Sequence, residues 1–91
     1  RLQPSFACAK ARPTPEKLIC ADPELSRLDR DLGRLHAQAR AAAPDAAAFK
    51  RQNDAEWRAR EATCRDRECL LDWYAHRRAQ LEDTLAQARA R

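Results

Sequence analysis

Leucine, alanine and aromatic side chains recur along this chain at steps of three and four, the period of helices that bury one face. The clearest run is Leu25, Leu28, Leu32, Leu35 and Ala39, a single stripe on one side of a helix. It opens with Asp22-Pro23-Glu24. Asp22 can cap, Pro23 falls in the first turn where its missing N–H costs nothing, and Glu24 sits near the positive end. Gly33 lies off the stripe and costs about 1 kcal/mol relative to Ala. The helix runs through Ala41-Ala42-Ala43 and stops at Pro44.

Two more long helices follow. Asp45 caps one whose inner side carries Phe49, Asn53, Trp57, Arg60 and Cys64, a poor stripe with polar entries. Cys64-Arg65-Asp66 breaks it, and Asp66 can cap a last helix with Glu68 in its first turn. That helix carries Leu70, Tyr74, Arg77, Leu81, Leu85 and Ala88, flanked by Leu71 and Arg78. Upstream, Thr14-Pro15-Glu16 starts a helix that can only be short, because Asp22 begins the next. Residues 1–13, with Pro4 and Pro13, read as an extended arm. The long helices span about 20–24 residues, or ~30–36 Å, and linkers this short force neighbours antiparallel. The expected fold is all-α: a small, disulfide-stabilised antiparallel three-helix bundle with an additional short N-terminal helix, one domain over residues 1–91.

Composition explains why such a fold needs support. Of the 91 residues, 44% are hydrophobic, but 20 of those are Ala, with ten Leu, one Ile and no Val or Met. Bulky apolar mass is scarce, and chains this small lean on disulfides, metal or oligomerisation. One Gly and no Val leave little material for a sheet with hairpin turns. No stretch approaches the ~18 apolar residues of a transmembrane span, and no signal peptide is visible at Arg1, as expected if a leader was removed. The net charge is +4, yet acids punctuate every basic stretch, which argues against a nucleic-acid partner.

Four cysteines in a short chain suggest an oxidising compartment and two disulfides. Zinc sites use close Cys pairs; here the spacings are Cys8-x11-Cys20 and Cys64-x4-Cys69, and His36 and His76 lie away from the cysteine end. No metal or other cofactor is expected. In antiparallel order Cys20, Cys64 and Cys69 fall at one end of the bundle, so all three connectivities stay geometrically open. Local closure favours Cys8–Cys20 and Cys64–Cys69.

The same residues carry a family resemblance. Phe6-Ala7-Cys8-Ala9-Lys10-Ala11, then Glu16-Lys17-Leu18-Ile19-Cys20-Ala21-Asp22-Pro23-Glu24-Leu25 and Leu28-Asp29, is similar to the opening of the LprI-type family. That family is the N-terminal region of a mycobacterial lysozyme-inhibitor lipoprotein. Gln52, Trp57, Arg60, Cys64, Cys69-Leu70, Tyr74, Arg77 and Leu81 resemble its tail, so the similarity spans about residues 5–82. His36 stands where the family usually has Tyr, and Arg78 where an aliphatic is common. The resemblance implies an exported, disulfide-bonded helical domain of the bacterial envelope, periplasmic or secreted, with a lipid anchor in the precursor left open. For at least one member it implies lysozyme inhibition.

Chemistry of its own is not expected. The hydroxyl residues are Ser5, Thr14, Ser26, Thr63 and Thr84, without a Gly-rich loop or a sequence-evident His partner. Adjacent carboxylates such as Glu82 and Asp83 do not share a helix face. For binding, the disulfide-closed corner Cys64-Arg65-Asp66-Arg67-Glu68-Cys69 is attractive, because a preorganised loop has little entropy left to lose. Lysozyme-like hydrolases hold two carboxylates in a cleft, with which Arg65 or Arg67 could pair. These two, and Lys17 of the family motif, are the expected contacts of a muramidase partner. Animal lysozymes are basic, as is this chain at pI about 9.2, so long-range steering opposes that pairing. A rival bacterium's hydrolase, with this chain as immunity protein, is a variant of the same expectation. The alternative is a non-inhibitory envelope interaction module that docks through the helix face around Trp73.

Overall fold

A computed structural model describes Cys8 and residues 14–90; the extended arm expected over 1–13 otherwise lies outside the described residues. Four helices follow the four start signals: α1 (Thr14–Ala21), α2 (Pro23–Ala42), α3 (Ala46–Thr63) and α4 (Arg67–Arg89). Each aspartate ahead of a long helix acts as its cap. Asp22 accepts from the Glu24 and Leu25 amides, Asp45 from Ala48 and Asp66 from Cys69. One residue separates α1 from α2, and that sharp corner is closed by Ser26, whose buried hydroxyl donates to the Ile19 carbonyl at 2.6 Å. A carbonyl at the end of α1, which has no partner within its own helix, is thereby satisfied.

Cross-helix contacts define the topology. Arg67 reaches Asp22 and Tyr74 reaches Asp29, so α2 and α4 run parallel. Trp73 meets Glu56 while Arg77 meets Gln52, so α3 runs antiparallel to α4. The chain is an all-α, disulfide-stabilised bundle of three long helices, up-down-up, with α1 folded against the end where α2 begins. Among the described residues, no helix is long and apolar enough to cross a membrane.

The core is divided in two. At the cysteine end Ile19, Leu25, Cys64, Leu70 and Tyr74 are buried together, with Leu18, Leu28, Cys69, Leu71 and Trp73 packed around them. At the other end only Ala39, Phe49 and Leu81 form the buried group. Leu32 touches both. The first cluster draws on α1, α2, α4 and Cys64, the residue that caps the end of α3; in the second, Leu35, Ala43 and Leu85 pack against the buried group while only partly buried themselves.

The structure departs from the sequence pattern on α3. Phe49 and Arg60 are buried, but Trp57 on the same stripe is 45% exposed. The reason is the polar content of that stripe. Long side chains that hydrogen-bond across the interface hold α3 away from its neighbours, and Trp57 stands at the resulting opening.

The disulfides join Cys8 to Cys20 and Cys64 to Cys69, twelve and five positions apart. Paired Cys→Ala replacement at positions 8 and 20 is expected to cost about 3 kcal/mol in urea unfolding, by loop-closure entropy, and the pair at 64 and 69 a smaller loop term. Gly33→Ala is expected to raise stability by about 1 kcal/mol, since Gly33 sits inside α2 with an ordinary helical φ.

Candidate functional site

The corner between α3 and α4 is built by three devices. The Cys64–Cys69 bond ties the residue that ends α3 to the first turn of α4. Arg65 folds back, and its Nη1 donates to the Glu61 and Cys64 carbonyls at 2.9 and 2.8 Å. A cation there satisfies the last carbonyls of α3 and meets the negative end of its dipole. Arg67 crosses to the start of α2, where Nε donates to Asp22 Oδ2 at 2.7 Å and Nη2 pairs with Glu24. The Arg67 hydrogen bond holds the Asp22 carboxyl below the usual carboxylate range, helped by the amides that it caps.

The three residues expected to bind a partner therefore stand differently. Arg67 is committed to an intramolecular carboxylate pair. Arg65 is exposed with one nitrogen occupied by backbone, and Lys17 is exposed on α1. Asp66 and Glu68, also exposed, complete the surface of the corner. No three-residue cluster of His, Cys, Asp and Glu able to hold a metal occurs among the described residues.

A second arrangement lies between α3 and the other long helices, where charged groups are buried. Arg77 is 1% exposed; it donates to Gln52, Gln80 and Asn53 and lies 5.8 Å from the Phe49 ring centroid. Desolvation lowers its pKa, opposed by the charge of Glu56. Arg60, 3% exposed, lies 5.1 Å from the Trp73 ring centroid and pairs with Glu61. Trp73 is half-buried and donates its indole N–H to the Glu56 carbonyl at 2.9 Å. Its face therefore serves the contact between α3 and α4. Tyr74 donates to Asp29 at 2.8 Å in the core. Burial and the neighbouring Asp29 carboxylate push the Tyr74 hydroxyl far above its ordinary value.

This polar seam borders an open cleft of about 370 Å³. Gly33 of α2 forms part of one wall and Trp57 of α3 part of another, with Asp29, Asn53, Arg60 and Arg77 among the groups between them. His36, also in the lining, packs 5.2 Å from Phe49; burial, then the charges of Arg77 and Arg40, lower its pKa. The sequence pattern placed Arg60 and Arg77 on inner faces but did not reveal the cleft. Its signal was the one glycine of the chain, set inside a helix with no turn to make.

Tyr74 is the only tyrosine, so absorbance near 295 nm reports its ionisation directly. A raised folded pKa means that its contribution to stability is complete below the unfolded value near 10 and declines as pH rises beyond it. The expected result is no tyrosinate signal in the folded protein at pH 10–11, and unfolding accompanied by its appearance at higher pH. Normal titration near pH 10 without unfolding contradicts the buried pair. Tyr74→Phe is expected to cost about 1–3 kcal/mol by removing a hydrogen bond from a buried carboxylate.

Comparison of the chain with family models, with curated proteins and with solved structures finds no match among any of them.

Proposed function

We propose that this chain is an exported bacterial domain that binds a protein and inhibits a lysozyme-like peptidoglycan hydrolase without chemistry of its own. The observation that carries this reading is the braced corner. A disulfide, a helix cap and a cross-helix ion pair fix Cys64-Arg65-Asp66-Arg67-Glu68-Cys69 before any partner arrives. Little conformational entropy is then lost on binding. The similarity of the Cys8 and Cys20 segment to the LprI-type opening supports the class of partner, and two disulfides suit an oxidising periplasmic or secreted location.

Within the corner the roles divide by geometry. Arg65 is the contact that can meet a hydrolase carboxylate, because only its Nη1 is spent on carbonyls. Arg67 positions the corner through Asp22 and Glu24 and reaches a partner only by giving up that pair. Lys17, exposed on α1, supplies a peripheral charge. Against a basic animal lysozyme the net charge of +4 slows encounter. A hydrolase without that basic charge is the better electrostatic partner; where it is a rival bacterium's muramidase, the chain acts as an immunity protein.

Turbidity assays of cell-wall lysis with several animal lysozymes and bacterial muramidases test the reading. Micromolar protein is expected to slow at least one enzyme. Arg65→Glu is expected to weaken inhibition by about tenfold or more, the scale of an interfacial hot spot. Lys17→Glu is expected to act mainly on association rate and its salt dependence. Absence of inhibition across the panel removes the proposal.

A further inference from the structure

We propose that the cleft between Gly33 and Trp57 binds a neutral sugar ring. Trp57 is the large hydrophobic side chain left open among the described residues, 45% exposed, and it lines this cleft. An exposed indole offers a flat, electron-rich face, and a pyranose offers a flat patch of C–H groups with hydroxyls around its rim. The lining answers both halves of that ligand. The cleft's volume of about 370 Å³ lies within the roughly 300–1,000 Å³ of small-ligand sites.

The polar groups are planar and already oriented. Tyr74 holds Asp29, while Gln52, Gln80 and Asn53 hold Arg77. Arg77 and Asp29 are themselves buried, so a hydroxyl is met by the half-buried polar groups of the lining, Asn53, His36 and Glu16. The Asn53 amide, to which Arg77 donates, and the Glu16 side chain can exchange hydrogen bonds with neighbouring hydroxyls.

Charge selects for neutrality. The lining holds two acids, Asp29 and Glu16, and two arginines, Arg60 and Arg77, so its formal charge balances and favours neither a phosphate nor a metal ion. Of the aromatic side chains in the lining only Trp57 is exposed, Trp73 and His36 being half-buried, and one open aromatic face suits a ring with one apolar side better than a base sandwiched on two. Gly33 is required for space: any larger side chain there grows into the cleft.

The inference stands apart from the braced corner, and the two can fail separately. In ¹⁵N-labelled protein titrated with N-acetylglucosamine, glucose and maltose, the Trp57 indole N–H resonance is expected to shift saturably in the millimolar range with at least one of them. Trp57→Ala, read on the backbone amides that shift in the unmodified protein, and Gly33→Leu, read on the indole, are each expected to weaken binding tenfold or more. Both variants are checked by circular dichroism for an unchanged helix signal, and Gly33→Ala, the smaller and helix-favouring change, is expected to fold well and bind less tightly than the unmodified chain. Absence of a saturable shift with every saccharide overturns the proposal. So does an undiminished shift in folded Gly33→Leu, or a response to adenosine as strong as to the sugars.

Discussion

The two sulfur bridges meet the helices at one end of the molecule, and the thin core makes that constraint decisive. Cys20 lies in the last turn of α1, Cys64 ends α3, and Cys69 opens α4. Around them gathers the larger buried cluster, including Ile19, Leu25, Leu70 and Tyr74. At the opposite end Ala39, Phe49 and Leu81 are buried, with Leu35, Ala43 and Leu85 only partly buried against them. Burial at about 25 cal/mol per Å² gives an alanine face little to contribute. Cross-linking at the cysteine end reduces the entropy of the unfolded chain and so offsets what the far end cannot supply.

The seam between α3 and its neighbours is held by a different kind of contact. Arg60 and Arg77 would be costly at such burial without partners. The aromatic faces of Trp73 and Phe49, and the amides of Gln52, Gln80 and Asn53, supply them. Interactions of this sort are directional. They fix the rotation of α3 about its axis and its height against α4, which close-packed alanines leave loosely specified. They also need room, since long side chains keep helix axes apart. The opening under Trp57 is therefore a consequence of how α3 is docked.

The corner and the cleft thus arise from two separate solutions to the same shortage of apolar mass. At the corner, a bond, a cap and an ion pair leave Arg65 exposed on a rigid turn, a feature suited to entering another protein's cleft. Beside Gly33, polar docking leaves a concave surface with an exposed indole, Trp57, a feature suited to receiving something small. Each surface keeps its shape without a ligand because its supporting groups already bond to one another.

Much of this architecture was legible in the residues. Asp22, Asp45 and Asp66 mark the helix starts through the chemistry of capping, and Pro23 and Pro44 bound α2 because their rings have no N–H to donate. The leucine spacing fixed which face of α2 turns inward, and short linkers fixed the up-down-up order. These are local rules, each read from a few neighbours. The fate of Arg67 and the exposure of Trp57 were of another kind. Arg67 lies 45 positions from Asp22, yet the parallel run of α2 and α4 brings them together. Trp57 occupies an inward position by period, and only the spacing between α3 and α2, set by side chains from three helices at once, left it facing open space. Periodicity assigns a direction to each side chain; what waits in that direction depends on distances between helices, and those are settled by packing.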